Sequence, residues 1–314
     1  MKLGLIDLGS NSSRMYLLSL TDGKFELLKR YRMMTRLSEG MQEDGLLKSI
    51  PMERTAEVLC RFAKELKQEN ASPFAVATAA VRKAKNRDVF LQLVKERAGL
   101  SLFVISGETE AYFDFQGVMA GISHINNCVI CDTGGGSTEL ILVKDRKMTE
   151  KISLPFGAMT LTDAYSQDLE TAKGAVMQQL STVSFLDDAK GFPIIGIGGS
   201  VCSIGALDQS LTHGESTDVH GYELSLKRME ELFDLLATKT PQERMAIGVE
   251  KGRADSICAG FLPSLLLARQ LTSPSLTLCT GGLREGILFE LEQANPEQAI
   301  QNLEQFMEKF SPIK

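Results

Sequence analysis

The sequence lacks the features that mark several large classes of protein. No apolar run is long enough to cross a bilayer, and the first residues show no secretory signal pattern. Only three histidines occur, and they are too scattered to suggest a histidine-rich metal site. The formal net charge of −6 argues against general binding to nucleic acid. The sequence therefore predicts a protein with neither a membrane nor a nucleic acid as its partner.

The cysteines do not form the pattern of a disulfide framework. Six of them are dispersed along the chain, mostly in apolar segments, as expected for buried thiols in a reducing compartment. We therefore expect a cytoplasmic protein. Cys128 and Cys131 have CxxC spacing, but they lie in a predicted strand, where residues three apart point to opposite faces. Core packing is the favoured interpretation, and a redox or zinc site is the alternative.

Composition and charge indicate a globular protein with an uneven charge distribution. The 314 residues suffice for two domains of ordinary size, and 43% are hydrophobic. Residues 1–124 carry a net charge of +3, whereas the remainder carries −9. This asymmetry predicts that an anionic ligand binds in the N-terminal half, although an uneven solvated surface would give the same count.

The predicted elements occur in the same order twice. Three strands are followed by alternating helices and strands, first from residue 3 and again from residue 128, and matching Asp-x-Gly turns open the two halves at Asp7 and Asp132. We expect an α/β protein of two similar domains that face one cleft, 1–124 and 125–295. Apolar periodicity predicts, among others, a helix over 169–185 and an amphipathic C-terminal helix over 296–312, which could pack back on the first domain.

Three glycine-rich turns are candidate phosphate sites. Glycine and small hydroxyl residues let successive backbone N–H groups converge on an anion, although such hairpin turns are also common without a ligand. The third turn follows a strand and opens a helix, a favourable place for phosphate, but its spacing does not match a dinucleotide-binding fingerprint. The candidate residues are Ser10, Asn11 and Ser12 in the first turn, Gly134, Gly135, Gly136 and Ser137 in the second, and Gly198, Gly199 and Ser200 in the third.

Two charged residues are candidates for the chemistry itself. Arg82 follows a short predicted strand, and its planar guanidinium could bind phosphate oxygens bidentately. Glu110 lies in the first turn of a predicted helix that Ser106 opens. Such an acid could simply stabilise the helix N-terminus, or it could serve as the general base that activates water.

The combination of these motifs resembles the exopolyphosphatase / guanosine pentaphosphate phosphohydrolase family, Ppx/GppA, in a short two-domain form. The motifs that carry the resemblance occur in family order over nearly the whole chain. They are Asp7–Ser12, Thr78–Asn86, Ser106–Ala111, Asp132–Glu139 and Gly282–Gly286.

This resemblance implies a fold, a reaction and roles for particular residues. It implies two ribonuclease-H-like domains of the actin-like ATPase superfamily flanking a cleft, and a hydrolase that depends on Mg²⁺. By position, Glu110 matches the catalytic glutamate of the family, and Asp132 and Glu139 match acidic residues near the metal and the water, with Asp7 as a further candidate ligand. Arg82 and the first two glycine turns match phosphate contacts.

The leading interpretation is therefore a phosphoanhydride hydrolase. It would release terminal orthophosphate from inorganic polyphosphate, from guanosine pentaphosphate, or from both, by water attack with a glutamate base. One alternative is an actin-like phosphotransferase, which would need an acceptor site and an adenine pocket. The other is a regulator that binds a guanosine polyphosphate without chemistry. The sequence leaves a homodimer open.

Overall fold

The structure is a computed structural model that describes residues 1–165, 168–215 and 218–310. The chain divides into two compact units. Unit 1 comprises Met1–Glu110 and the segment from Ile287 onward, and unit 2 comprises Ala111–Gly286. The division falls inside helix α4 (Gly107–Gly121), because Ala111 and Val118 of that helix are buried in a core of unit 2.

Unit 1 is built around a five-stranded mixed sheet of order β3-β2-β1-β4-β5. The first three strands are antiparallel neighbours, and β4 and β5 continue the sheet in parallel on the other side of β1. The strands are β1 (Lys2–Leu8), β2 (Ser12–Thr21), β3 (Lys24–Met34), β4 (Ser72–Ala77) and β5 (Leu102–Val104). The helices before α4 are α1 (Ser49–Gln68), α2 (Ala79–Lys83) and α3 (Arg87–Ala98), with a 3₁₀ turn at Met41–Glu43.

Helix α1 covers one face of this sheet because its apolar side chains recur at helical spacing. Leu59, Phe62 and Leu66 are buried in the core of unit 1 together with residues of β1 and β2. The helix comes close to β1 at Gly4, where a Cβ atom would lie 2.2 Å from a methyl carbon of Leu66. A glycine at this position therefore permits the packing that supports the β1–β2 hairpin.

Unit 2 repeats this topology with one strand more. Its six-stranded sheet has the order β10-β11-β9-β6-β7-β8, so β8-β7-β6-β9-β11 corresponds to β3-β2-β1-β4-β5 of unit 1. The strands are β6 (Cys128–Thr133), β7 (Thr138–Lys144), β8 (Lys147–Leu154), β9 (Ile194–Ile197), β10 (Glu223–Ser225) and β11 (Ser275–Leu278). The helices are α5 (Ala158–Tyr165), α6 (Leu169–Leu180), α7 (Gly199–His213), α8 (Leu226–Ala237), α9 (Pro241–Ala246) and α10 (Ile257–Leu271), with a 3₁₀ turn at Ser184–Ala189. Helix α11 (Leu283–Gln293) begins in unit 2 and ends in unit 1.

The central strand β6 places alternate residues in two cores. Val129 and Cys131 pack in one, whereas Cys128 and Ile130 pack in the other, and all four are fully buried. Burial raises the pKa of Cys128 to about 12 and that of Cys131 to about 11. The CxxC pair therefore packs in the core, as the strand pattern predicted, and the two thiols do not share a face.

Two predicted helical segments differ from the structure. Helix α6 ends at Leu180, and a separate 3₁₀ turn follows. The C-terminal segment forms two short helices, α12 (Pro296–Gln301) and α13 (Leu303–Glu308), because the side chain of Asn302 accepts a hydrogen bond from the N–H of Gln305 and opens a new helix. Both belong to unit 1, and residues 311 and 312 of the predicted helix lie outside the described residues.

Candidate active site

The first glycine-rich turn joins β1 to β2 in unit 1. The N–H of Gly9 donates to the carbonyl oxygen of Ser12 at 3.1 Å, and the backbone oxygen of Asn11 accepts from the N–H groups of Thr35 and Arg36. Ser10 is 3% exposed. Within the described residues, the Ser10 hydroxyl and the Asn11 side-chain oxygen are buried without a hydrogen-bond partner. Polar atoms of this kind usually have a partner, so the turn is suited to hold a polar ligand.

The second turn joins β6 to β7 in unit 2 in the same way. The N–H of Gly134 donates to the oxygen of Ser137 at 3.0 Å, matching the Gly9–Ser12 bond. Helix α5 contacts this turn, because the backbone oxygen atoms of Gly134 and Gly135 accept hydrogen bonds from N–H groups at the start of that helix. The two predicted phosphate turns thus share the same backbone hydrogen bond, each within its own unit.

The third turn lies at the N-terminus of α7, also in unit 2. Gly198 has a φ of 93°, and a Cβ atom there would lie 2.6 Å from Oδ1 of Asp132. A Cβ atom at Gly199 would overlap the guanidinium of Arg253, which is 9% exposed. Ser200 is buried beside Gly260. The helix N-terminus favours an anion, and Arg253, which is itself ion-paired with Glu250 at 3.1 Å, lies beside it.

Three carboxylates meet at the centre of unit 2. One oxygen each from Asp114, Asp132 and Glu139 lie within 4.8 Å of one another. Asp114 and Glu139 are fully buried, and Asp132 is partly buried. Asp132 and Glu139 are direct cross-strand partners, and Oε1 of Glu139 accepts a hydrogen bond of 2.6 Å from the hydroxyl of Ser153 on β8. Like charges this close repel strongly, and oxygen ligands of this kind suit Mg²⁺.

The equivalent register position in unit 1 carries a different pair. Asp7 pairs across the strands with Arg14, and their side chains form an ion pair of 3.2 Å. An acid therefore faces a base in unit 1, whereas an acid faces an acid in unit 2. Asp7 lies outside the acidic cluster, and its role as a metal ligand stays a prediction.

Glu110 and Arg82 form a buried ion pair in unit 1. Nη1 of Arg82 lies 2.8 Å from Oε2 of Glu110, and the same nitrogen donates to the backbone oxygen of Ile105 at 2.9 Å. Their side chains are only 14% and 9% exposed, respectively. Burial raises the pKa of Glu110 above its ordinary value, and the guanidinium of Arg82 offsets part of that rise. A carboxylate with a raised pKa accepts a proton more readily than an exposed one does, which suits a general base.

Two residues of these sites were missed in the sequence. Asp114 follows Glu110 by four residues on α4, and this spacing, which places two residues on one helix face, was the available signal. Arg253 had no such signal, because it reaches Gly199 from a turn more than fifty residues further along the chain.

Comparisons with known proteins identify the family and the fold. The model of the Ppx/GppA phosphatase family matches residues 17–295. Two structures of the Aquifex aeolicus member are 29% and 30% identical to this chain. The first covers 94% of this chain and 99% of its own, with a TM-score of 0.74, and the second covers 92% and 98%, with a TM-score of 0.73. An exopolyphosphatase from Cytophaga hutchinsonii, 23% identical over 94% of this chain and 98% of its own, has the same fold, with a TM-score of 0.86.

The chain belongs to the Ppx/GppA phosphatase family. It is a phosphoanhydride hydrolase with the two-domain, actin-like fold, so the resemblance and the fold class expected from the sequence are confirmed. Among the described residues, we find no helix with the length and apolar character needed to cross a membrane.

Proposed function

We propose that this protein hydrolyses the terminal phosphoanhydride of inorganic polyphosphate or guanosine pentaphosphate with Glu110 as the general base. The ion pair of Glu110 with Arg82 supports this role most directly. Burial raises the pKa of the carboxyl group, and the guanidinium of Arg82 offsets part of that rise by favouring the ionised form. Glu110 then accepts the proton of the attacking water and returns it to solvent after orthophosphate leaves.

The phosphate chain is bound by the turns that carry polar groups. The unpartnered hydroxyl of Ser10 and amide oxygen of Asn11 are in the first turn, and the hydroxyl of Ser12 is beside them. In the second turn, the backbone N–H groups of Gly135 and Gly136 are the candidate donors. The Asn11 amide nitrogen and the serine hydroxyls donate to phosphate oxygens, and the net positive charge of residues 1–124 favours the approach of an anion.

Mg²⁺ is the cofactor that fits the acidic cluster. Asp114, Asp132 and Glu139 would hold it, because three clustered carboxylates supply the hard oxygen ligands that Mg²⁺ prefers. Bound there, the ion would neutralise charge that spreads over the phosphoryl oxygens. The hydrogen bond from Ser153 fixes one oxygen of Glu139 and so orients the carboxylate.

The test is the release of orthophosphate by the purified protein. The assay compares polyphosphate of several lengths, guanosine pentaphosphate and ATP as substrates. Each substrate is tested with Mg²⁺ and with a chelator, so that the same assay identifies the substrate and the dependence on metal. Glu110→Gln should lose turnover by a factor of about 10²–10⁴, the usual contribution of a general base. Glu108→Gln is the matched control, because this exposed glutamate lies in the same helical turn. Normal turnover of Glu110→Gln would remove Glu110 from the role.

A different property supports the proposed cellular location. Cys128, Cys131, Cys258 and Cys279 are buried thiols whose pKa values burial raises to about 11 or 12. Such thiols are inert and require no oxidising environment, which supports our proposal of a cytoplasmic enzyme.

A further inference from the structure

The C-terminal tail of unit 1, defined here as Pro296–Phe310, contacts the residue next to the proposed base. The hydroxyl of Thr109 donates a hydrogen bond to the backbone oxygen of Phe310. Thr109 is 6% exposed and precedes Glu110 in the first turn of α4. The same hydroxyl lies 2.8 Å from the hydroxyl of Ser106, which also accepts from the N–H of Thr109 at 3.0 Å. The start of α4 is therefore tied to the tail as well as to its own cap.

A row of aromatic rings anchors the tail. Phe306 packs edge-to-face on Phe74 of β4, with ring centroids 6.2 Å apart, and Phe74 packs on Phe103 of β5 at 5.7 Å. The ring of Phe310 lies 5.2 Å from that of Phe306. Aromatic pairs at these distances contribute about 0.5–1.5 kcal/mol beyond their buried area. Phe310 is thus fixed to the sheet, and its carbonyl group is aimed at Thr109.

The tail is nevertheless a separable element. Its two helices have six residues each, too few to be stable without packing. A cavity of about 370 Å³ lies between the loop around Gly99–Phe103 and the tail residues Ile300–Glu304. The tail therefore depends on few anchors, chiefly Ile300, Phe306 and Met307, which are 5%, 3% and 2% exposed.

We propose that Thr109 is a positioning residue through which the tail fixes the geometry of Glu110. The N–H of Glu110 donates to the oxygen of Ser106 at 2.9 Å, so the place of its carboxylate depends on how the first helical turn is held. Arg82 donates hydrogen bonds to Ile105 and Glu110. The tail accepts a hydrogen bond from Thr109 of the same helical turn. A misplacement of about 1 Å at a reacting group can cost about a hundredfold in rate. This inference rests on the proposed role of Glu110.

A double-mutant cycle tests the coupling in the full-length protein. Thr109→Val removes the hydroxyl with little change in volume, and Phe310→Ala removes the ring that aims the carbonyl group. Each should lower kcat about tenfold while KM stays within about twofold, because the phosphate-binding turns are not altered. The double variant should be no slower than either single variant, because both changes disrupt the same hydrogen bond between Thr109 and Phe310. Thr109→Ser and Phe310→Leu keep the hydroxyl and the apolar anchor, and should restore kcat.

Hydrogen exchange separates this inference from the proposed function. In Phe310→Ala, the amide groups of Thr109 and Glu110 should lose protection while those of α1 keep theirs. Unchanged protection, additive effects in the cycle, or a single variant with normal kcat would overturn the inference even if Glu110→Gln is inactive. Turnover retained by Glu110→Gln would overturn the proposed function, and with it the catalytic part of this inference. Melting temperatures that match the wild type show that a loss of kcat is not a loss of fold.

Discussion

Replacement of Arg82 by glutamine tests whether the buried ion pair sets the pH dependence of turnover. The pKa of Glu110 is raised chiefly by burial, and the guanidinium at 2.8 Å lowers it again. At that distance, two unit charges attract by about 6 kcal/mol at an effective dielectric constant of about 20, which is an upper bound because water replaces the lost group. An opposite charge in such contact lowers a carboxyl pKa. Arg82→Gln should therefore raise the pKa of Glu110 further, because it removes that charge.

The assay is the pH profile of kcat/KM, which reports groups of the free enzyme. Glu110 acts as a base only when it is deprotonated, so turnover falls below its pKa. The acidic limb of the profile should move to higher pH in Arg82→Gln. It should move less in Arg82→Lys, which keeps the charge. The plateau value of kcat/KM should also fall, because Arg82 is a candidate phosphate contact. A lower plateau does not change the pH at which the acidic limb lies.

Stability supplies a second measurement of the same shift. A carboxyl group whose pKa is higher in the folded than in the unfolded state favours folding at low pH, and this contribution is lost as the pH rises through the folded-state pKa. The melting temperature of Arg82→Gln should therefore fall further below that of the wild type at pH 8 than at pH 5. An acidic limb at the wild-type position, together with a constant difference in melting temperature, would refute this account of Glu110.

Two further predictions concern the metal and the packing of unit 2. Asp114→Asn should raise the Mg²⁺ concentration needed for half activity and reduce the rise in melting temperature that Mg²⁺ produces. In chelator, Asp114→Asn should be at least as stable as the wild type, because it lacks one of three acids that repel one another. A larger rise in melting temperature with Mg²⁺ in the variant than in the wild type would contradict the proposed site. Gly286→Ala should destabilise by more than about 2 kcal/mol, because a Cβ atom there would overlap the backbone oxygen of Phe113. Gly174→Ala, in the exposed middle of α6 with no atom near, should instead stabilise by about 0.4–1 kcal/mol; equal effects would show that close approach is not the cause.

The parts of the fold that local patterns determine could be predicted from the sequence. The hairpins at Asp7 and Asp132 carry alternating apolar residues and glycine-rich turns, and both form as expected. Strand β10, of three residues, was not predicted because its only support is pairing with β11, about fifty residues away. The break at Asn302 was missed because an asparagine within an apolar period also fits a continuous helix.

In the candidate site, too, the sequence predicts only the residues that stand in local motifs. Glu110, Asp132 and Glu139 stand in motifs, so their positions could be found without a structure. Asp114 stands in no motif, and only the packing of α4 beside β6 brings its carboxylate to the other two. The pairing of Glu110 with Arg82 likewise joins residues that are distant in sequence, and no periodicity encodes it.

The residue that faces the aspartate next to each glycine turn distinguishes the two units, although the two hairpins pair their strands in the same way. Asp7 faces Arg14, whereas Asp132 faces Glu139. In the proposed function, this single difference between the two hairpins is what gives unit 2, and not unit 1, its Mg²⁺ site. Glu139→Arg would bring the acid–base pair of unit 1 into unit 2 and leave two acids, Asp114 and Asp132, in the cluster. The fold should then be kept, while the proposed response of its melting temperature to divalent ions should weaken.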